Sequence, residues 1–167
     1  QVFIATSFAL LAAGLGFFSW MSCHRRSRAI ADTPTSRIDS AAQGYVELSG
    51  TLRPLPGREL HAPLSGEPCV WYRCREERYT GSEWELAGEG ESESDVPFMI
   101  EDGSGVCLVR PQGAEMTGLD AQTWYNDARG VAGWRKLSRD DRRRTEWLLC
   151  KGEEAHVVGR FATLRDP

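Results

Sequence analysis

The first 23 residues of this 167-residue chain carry no charged side chain, whereas acidic and basic residues recur throughout the rest. Residues 2–21 form an uncharged, mainly apolar stretch of 20 residues, about the length that an α-helix needs to cross the ~30 Å hydrocarbon layer of a membrane. A buried helix of a soluble protein is the alternative, but such helices rarely extend this far without a charge. The pattern therefore predicts an N-terminal transmembrane α-helix in residues 1–23.

Three arginines, Arg25, Arg26 and Arg28, directly follow the apolar segment. Cationic residues beside a membrane span tend to stay on the cytoplasmic side. A cleaved signal peptide would instead carry its positive charge before the apolar segment. We therefore expect a single-pass membrane protein with a basic juxtamembrane linker at residues 24–43 and a soluble domain in the cytoplasm.

Small residues recur at every fourth position of the predicted helix, at Ala5, Ala9 and Ala13. This spacing lets membrane helices approach each other closely. It gives a hypothesis of weak self-association through the membrane helix, in addition to the predicted contact of residues 1–23 with the lipid bilayer.

Residues 44–165 show the pattern of a β-rich domain. The alternation over residues 45–52 places Val46, Leu48 and Leu52 on one buried face, and Gly50 predicts a bulge or a bend. A second long strand is predicted from about residue 69 to residue 79. The sequence as a whole predicts a mainly β fold, a small antiparallel barrel or sandwich with one or two short helices.

Glycine-centred turns predict three hairpins, around residues 80–82, 102–105 and 151–154. The acidic stretch at residues 87–95 has no apolar residue after Ala87 and predicts a solvated loop. The short helices are predicted within residues 114–145, where Ser138 and Asp141 have the spacing of a helix cap.

Charge is distributed unevenly along the chain. Residues 76–102 contain ten acidic residues and one basic residue, a net charge of −9, whereas residues 129–144 contain seven basic and two acidic residues, a net charge of +5. We expect these stretches to be solvated and to lie against each other. The alternative is that residues 129–144 face anionic lipid headgroups. The formal net charge of −4 argues against a nucleic-acid partner.

The cysteines do not have the spacing of a metal site. Zinc sites usually use close pairs such as C-x2-C, whereas Cys69 and Cys74 are five residues apart and an odd offset on a regular strand places them on opposite faces. Cys23 lies in or beside the membrane segment, and Cys107 and Cys150 lie in apolar strands. In a reducing cytoplasm the expected role of such cysteines is that of small buried hydrophobic residues.

The remaining chemical groups give no catalytic pattern. The three histidines, His24, His61 and His156, do not cluster in the sequence, and no G-x-S-x-G, phosphate-loop, H-E-x-x-H or dinucleotide-binding motif is present. We therefore predict no catalytic, cofactor-binding or metal-binding residues.

Four motifs are specific in combination. They are G-x-V-x-L-x-G at residues 44–50, PL-S-G-x-PCVWYR at residues 63–73, PFMIEDGSGVCLV at residues 97–109 and E-x-x-L-x-x-G-E-x-A-x-V-x-G at residues 146–159. Together they resemble the GIDE-type domain, also called the "beside a membrane" domain, of the mitochondrial ubiquitin ligase activator family and of its bacterial membrane-protein relatives. The resemblance covers about residues 33–163.

The resemblance implies a membrane-tethered β-rich domain in which Cys69 and Cys74 are structural residues. Eukaryotic members of the family end in a RING that recruits a ubiquitin-conjugating enzyme, but this sequence contains no RING cysteine ladder and no second apolar span. We therefore expect a membrane-anchored, non-catalytic binding or sensor module without a cofactor, whose ligand is a protein, a peptide or a lipid headgroup. The alternative is a portion of a RING-type E3 ubiquitin-protein ligase-like protein whose catalytic RING is not in this chain. A third hypothesis is a thiol or hydrolytic enzyme that uses Cys69 or Cys107.

Overall fold

The computed structural model describes residues 35–126, 128–129 and 137–163. The predicted transmembrane helix at residues 1–23 lies outside these residues. Within the part that is described, no helix is both long enough and apolar enough to cross a membrane.

Strands account for nearly all of the regular structure. In chain order the elements are β1 (Thr35–Ser36), a 3-10 helix (Ile38–Ser40), β2 (Gly44–Pro54), β3 (Leu60–His61), β4 (Pro68–Cys69), β5 (Trp71–Tyr79), β6 (Trp84–Glu93), β7 (Phe98–Glu101), β8 (Val106–Val109), β9 (Ala121–Tyr125), β10 (Ala128–Arg129), β11 (Arg142–Leu149) and β12 (Glu154–Phe161). The mainly β fold predicted from the sequence is confirmed.

The strands form two five-stranded sheets and one two-stranded ribbon. The first sheet has the order β1-β2-β7-β8, with β12 also pairing with β2, and the second has the order β10-β9-β11-β5-β6. Strands β3 and β4 form the ribbon. β1 pairs with β2 in parallel, an exception to the mainly antiparallel pairing predicted from the sequence.

The described residues divide into two compact units. The first contains residues 35–36, 40–48 and 156–163. In this unit Val46 and Leu48 of β2 are buried, as the alternation predicts. Glu47 lies between them in the sequence, and its carboxylate is 3.4 Å from Nδ1 of His156 on β12.

The second unit contains residues 37–39, 49–126, 128–129 and 137–155 and holds the main hydrophobic core. At its centre Leu52, Val70, Trp71 and Phe98 are almost completely buried. Partly buried apolar residues pack around this centre, namely Val109, Met116, Leu119, Leu149 and Ala155. The long apolar side chains of β2, β5 and β7 therefore meet here, and their burial is the main stabilising contribution to the unit.

Gly50 marks a close approach of two strands rather than a bulge. Strand β2 continues through it without interruption. A Cβ built on Gly50 would overlap the backbone carbonyl of Glu101 on β7 and would lie 3.1 Å from Cγ1 of Ile100. Glycine is required here because β7 passes too close for any side chain.

Two of the predicted hairpins are confirmed. Tyr79 is paired with Trp84 across the turn that ends β5, and Thr80 donates to the carbonyl of Glu83 at 2.9 Å. Strands β7 and β8 flank residues 102–105, where the carboxylate of Asp102 accepts hydrogen bonds from the backbone N–H groups of Ser104 and Gly105.

The prediction of the third hairpin was wrong. Residues 150–153 do form a turn, but β11 pairs with β5 and β9 whereas β12 pairs with β2. Leu52 donates to the carbonyl of Glu153 and accepts from the N–H of Gly152, so the turn is held by β2. Because the turn is a local feature whereas the partners of β11 and β12 lie elsewhere in the chain, the local pattern could not show that the two strands join different sheets.

The predicted loop at residues 87–95 was also wrong, since β6 extends through it to Glu93. The pairing of β5 with β6 shifts register between Arg75 and Glu77, and residues 87–90 form the irregular part. Gly88 and Gly90 have φ values of 61° and 75°, which glycine adopts without strain. Beyond this irregularity, cross-strand ion pairs with β5 hold the acidic residues in the sheet.

The predicted long strand at residues 69–79 is interrupted at Val70, which separates β4 from β5. The predicted short helices are absent from the described residues of the 114–145 segment, which contain β9, β10 and the start of β11. Ser138 and Asp141 do contact each other, since the N–H of Ser138 donates to Oδ2 of Asp141 at 2.9 Å. This contact closes a turn before β11 and does not cap a helix.

Candidate functional site

A carboxylate in the second sheet is the most unusual chemical group among the described residues. Glu146 lies in the middle of β11, opposite Cys74 of β5, and its exposed fraction is 0%. Acidic residues are almost never fully buried unless partners satisfy their oxygens. The surroundings of Glu146 therefore define the candidate site.

Three donors converge on the Glu146 carboxylate. The backbone N–H of Leu64 donates to Oε1 at 2.8 Å, and the N–H of Ser65 donates to Oε2 at 3.2 Å. The thiol of Cys74 also donates to Oε1, at an S–O distance of 3.5 Å. Both carboxylate oxygens are thus engaged, and each has a backbone partner from the same loop.

The loop that supplies these donors is a single tight turn at residues 62–67. The N–H of Gly66 donates to the carbonyl of Ala62, and the N–H of Ala62 donates to the carbonyl of Glu67, both at 2.9 Å. Gly66 has a φ of 73°, which closes the turn. The turn leaves the N–H groups of Leu64 and Ser65 without a local acceptor, and Glu146 supplies one from the sheet.

The cysteine thiols are held in their protonated form. Burial, followed by the nearby Glu146 carboxylate, raises the pKa of Cys74 to about 12. Burial, followed by Cys150 and Glu146, raises the pKa of Cys69 to about 11. Burial also raises the pKa of Cys107 and of Cys150. Because a thiolate is the reactive form of cysteine, these environments suppress nucleophilic chemistry.

Cys69 and Cys74 lie in different sheets. Cys69 pairs with Leu60 in the β3–β4 ribbon, whereas Cys74 lies between Ser92 of β6 and Glu146 of β11. They do not share a strand, so the expectation of opposite faces on one strand does not apply. All four cysteines that the structure describes are free thiols.

A shallow open cleft of about 260 Å³ adjoins Cys74. The 62–67 turn forms one wall, and β5, the irregular part of β6 and β11 form the rest. Its lining residues are Pro63, Leu64, Cys74, Arg75, Glu76, Gly90, Ser92 and Arg144. The hydrogen bonds to Glu146 fix the position of the turn, and thereby the width of the cleft.

The basic residues of β11 are matched by acidic residues of β5. Arg143 binds Glu77 through two hydrogen bonds of 2.8 Å, and Glu77 raises the pKa of Arg143. Glu76 accepts from Arg142 at 3.0 Å and lies 3.7 Å from Nε of Arg144. For these residues the basic and acidic stretches lie against each other, as expected from the sequence.

Aromatic rings flank the Arg143–Glu77 pair. The guanidinium of Arg143 lies 4.6 Å from the centre of the Trp84 ring. Trp84 in turn contacts Tyr79 and Tyr125, with ring centres 5.4 Å and 6.0 Å away. This geometry provides cation–π and edge-on aromatic stabilisation to the sheet.

Neither described histidine lines the cleft or donates to Glu146. His61 is on the β3–β4 ribbon and His156 is on β12. Across residues 35–126, 128–129 and 137–163, no three His, Cys, Asp or Glu side chains converge in a way that could hold a metal ion.

A comparison with protein-family models identifies the site's context. A model described as "GIDE: E3 Ubiquitin ligase" matches residues 72–166, more than half of the 167-residue chain. The chain belongs to the GIDE family. Searches of curated proteins and of solved structures found no match. The GIDE match includes Cys74, Glu146 and the cleft residues on β5, β6 and β11, whereas the 62–67 turn precedes it.

The structure brings two of the GIDE-type motifs into direct contact. Glu146 begins the last motif and the PL-S-G motif contains Leu64 and Ser65, so the two motifs are joined by direct hydrogen bonds. The sequence patterns predicted no role for Glu146. The available signal was its position directly before the apolar residues 147–149 of the strand, where a buried acidic residue needs a specific partner.

Proposed function

We propose that this GIDE-family chain is a membrane-anchored recognition module that binds a segment of a partner protein without covalent chemistry of its own. The observation that carries the proposal is the closed hydrogen-bond network of Cys74, Glu146 and the 62–67 turn. In this network the two reactive groups, the Cys74 thiol and the Glu146 carboxylate, maintain the shape of a cleft.

The non-catalytic part of the proposal follows from the state of these groups. A general base needs a carboxylate that can reach a substrate proton, but Glu146 is fully buried and accepts two backbone hydrogen bonds. A nucleophile needs a thiolate, but the pKa of Cys74 is about 12 and that of Cys69 is about 11. Both features favour a structural role for the site.

The binding part follows from the cleft. Its volume of about 260 Å³ is below the range of ~300–1,000 Å³ typical of small-molecule sites, and it is open to solvent. Pro63 and Leu64 provide an apolar wall, while Ser92 and Arg144 provide polar groups. This combination suits a single side chain with its flanking peptide better than a whole cofactor.

The membrane part follows from the 20-residue uncharged stretch and the arginines after it. In this proposal a helix in residues 1–23 keeps the domain at the cytoplasmic surface of a membrane. The test is sodium carbonate extraction of membranes that contain the full chain. We expect the chain to stay in the membrane pellet, and its complete release would contradict the anchor.

The cleft is tested by capturing partners on the full chain in native membranes. Ser92→Trp fills the cleft from an exposed position, and Ser82→Trp adds the same side chain to the exposed turn after β5. We expect Ser92→Trp to lose the partners that Ser82→Trp retains.

The role of the thiols is tested in the same capture experiment. The double variant Cys69→Ala/Cys74→Ala should keep its partners while losing a few kcal/mol of stability at most. Loss of binding by this variant while its circular dichroism spectrum stays native would refute a purely structural role.

A second candidate function is supported by the description of the matched family as an E3 ubiquitin ligase. In that case the chain is a portion of a RING-type ligase whose RING lies elsewhere. The test is to read the coding sequence that continues beyond Pro167. A RING cysteine ladder encoded there would favour the ligase role, and its absence would favour the binding module.

A further inference from the structure

We propose that two copies of this chain associate through the open edge of β8, forming a continuous antiparallel sheet across a two-fold axis at Cys107. β8 ends the first sheet, with β7 as its partner on one side and no strand of the described chain on the other. Residues 106–109 are Val, Cys, Leu and Val, and Val106 is 55% exposed. Edge strands are usually protected by charges, proline or bulges, and none of these occurs within β8.

The ladder between β7 and β8 determines which backbone groups face the open edge. The N–H of Asp102 donates to the carbonyl of Gly105 at 3.4 Å, next to the Glu101–Val106 pair. Hydrogen-bonded and non-hydrogen-bonded pairs alternate in an antiparallel ladder, so Cys107 bonds to β7 while the N–H and C=O groups of Val106 and Leu108 face outward. Outside the strand ladders, no backbone–backbone hydrogen bond of the described chain involves Val106 or Leu108, and the Leu108 carbonyl accepts one side-chain hydrogen bond, from the Cys107 thiol at 3.7 Å.

A second copy of β8 satisfies these groups in one register. A two-fold axis perpendicular to the sheet places the core-facing faces of both copies on the same side of the joint sheet. Odd-numbered and even-numbered residues of β8 lie on opposite faces, so odd residues must pair with odd residues and even with even. Val106 of each copy then pairs with Leu108 of the other, and four backbone hydrogen bonds form. Cys107 faces its own counterpart on the axis as a non-hydrogen-bonded pair, with a Cα–Cα distance of about 4.5 Å.

The charged residues near β8 also favour a second copy of the chain as the partner. In the same register Arg110, which is exposed, lies opposite Ser104 in the other copy. Ser104 donates to the carboxylate of Asp102 in the β7–β8 turn. Each copy therefore places one arginine beside the acidic turn of the other, and the two-fold axis creates this contact twice.

The interface is small. Four residues a side give a contact at the weak end of protein interfaces, so the copies exchange readily in solution. Chains held in one membrane by the anchor in the proposed function meet at a higher effective concentration. The edge pairing itself does not depend on the cleft, whereas its test in liposomes rests on the anchor of the proposed function. Failure of the chain to insert into liposomes would count against the anchor, and absence of the cross-link in inserted chain would count against the pairing.

The experiment is oxidative cross-linking of the full chain reconstituted in liposomes, in a Cys23→Ser background. Brief treatment with copper–phenanthroline, which accepts the electrons of two thiols, should give a dimer on non-reducing gels. Peptide mass mapping should place the disulfide between two Cys107 residues. The expected Cα separation at the axis lies within the range of about 4.4–6.8 Å that a disulfide accepts.

Two variants of Val106, whose backbone N–H and C=O groups face the open edge, test the pairing without changing the hydrogen bonds between β8 and β7. Val106→Pro removes one donor from each copy, two of the four bonds, which should lower the dimerisation constant about 30-fold. Val106→Lys adds an edge charge and should also abolish the cross-link, which keeps the test valid if the proline variant does not fold. The matched control is Leu86→Lys, which changes another exposed apolar residue on β6 and should leave the cross-link unchanged.

Three outcomes would overturn the proposal. One is the absence of a Cys107 disulfide in the reconstituted chain. Another is cross-linking of Val106→Lys and Leu86→Lys at the same rate as the background protein, which would show random collisions or association through the membrane helix alone. The third is equal inhibition by both lysine variants, which would show that β8 has no special role. Loss of partner capture with Ser92→Trp tests the proposed function and leaves this cross-link unaffected.

Discussion

Replacing Glu146 by glutamine tests the central structural feature of the site, because it removes the charge while keeping the shape. Glutamine has one acceptor oxygen, and its NH2 group cannot accept a hydrogen bond. If the amide oxygen takes the place of Oε1, the contacts to Leu64 and Cys74 remain, but the N–H of Ser65 faces another donor. The loop then loses one of its two backbone attachments.

The magnitude follows from these contacts. The lost charge-assisted hydrogen bond is worth about 1.5–3 kcal/mol, and the remaining bonds weaken to neutral ones. Removing a buried carboxylate returns part of its desolvation cost. We expect Glu146→Gln to lower the free energy of unfolding by about 2 kcal/mol.

The assay is urea denaturation of the full chain in detergent, followed by tryptophan fluorescence, together with hydrogen exchange of the Leu64 and Ser65 amides. Glu153→Gln is the matched control, since Glu153 accepts the N–H of Cys150 at 2.8 Å from an exposed position. The control should cost less than about 1 kcal/mol. The reasoning is refuted if Glu146→Gln is as stable as the parent chain, or if exchange at the two loop amides does not accelerate.

Three further predictions concern packing, charge and pH. Gly50→Ala should destabilise the protein by about 1–3 kcal/mol in the same urea assay, because the new Cβ overlaps a backbone carbonyl, whereas Gly159→Ala, with nothing within 4 Å, should have little effect. Arg143→Lys should lower the free energy of unfolding by about 1–2 kcal/mol, because it loses the two-bond ion pair with Glu77 and the contact with the Trp84 ring. Arg53→Lys, at a half-exposed ion pair, should lower it by less than about 0.5 kcal/mol. Equal losses would contradict the special role of the Trp84 ring. Hydrogen bonds from Ser104, then from the Ile38 N–H, hold the pKa of Asp102 well below its usual value. The stabilisation by the Asp102 carboxylate is therefore complete above about pH 4 and is lost as the pH falls toward the folded-state pKa. Asp102→Asn should flatten this part of an acid-unfolding curve, and an unchanged curve would show that another group titrates.

Local patterns in the sequence predicted most of the strands and their buried faces. Val46, Leu48 and Leu52 are buried as the period-two alternation requires, since side chains of a strand alternate between its faces whatever the strand's partner. The β7–β8 hairpin was predicted because its turn residues favour the tight backbone conformation by themselves. These features depend only on interactions between neighbours in the chain.

Two of the predictions that failed depended on distant partners. Residues 87–93 look like a solvated loop because their glutamates are charged. In the structure, however, Glu93 binds Arg73 at 2.9 Å and Glu91 binds Arg75 at 2.7 Å on the neighbouring strand. β11 and β12 look like a hairpin, but each pairs with a different sheet. An acidic residue in a strand gives no indication of whether it will be solvated or paired, because the arginine lies elsewhere in the sequence.

The sequence alone determined the family, the β-rich character of the domain and the uncharged stretch that predicts an anchor, because motifs, periodicity and hydropathy are properties of adjacent residues. Only the tertiary structure placed Glu146 against the N–H groups of Leu64 and Ser65, more than 80 residues earlier in the chain. A buried carboxylate is stable only where folding brings donors to it, and that meeting is decided by how the strands pair.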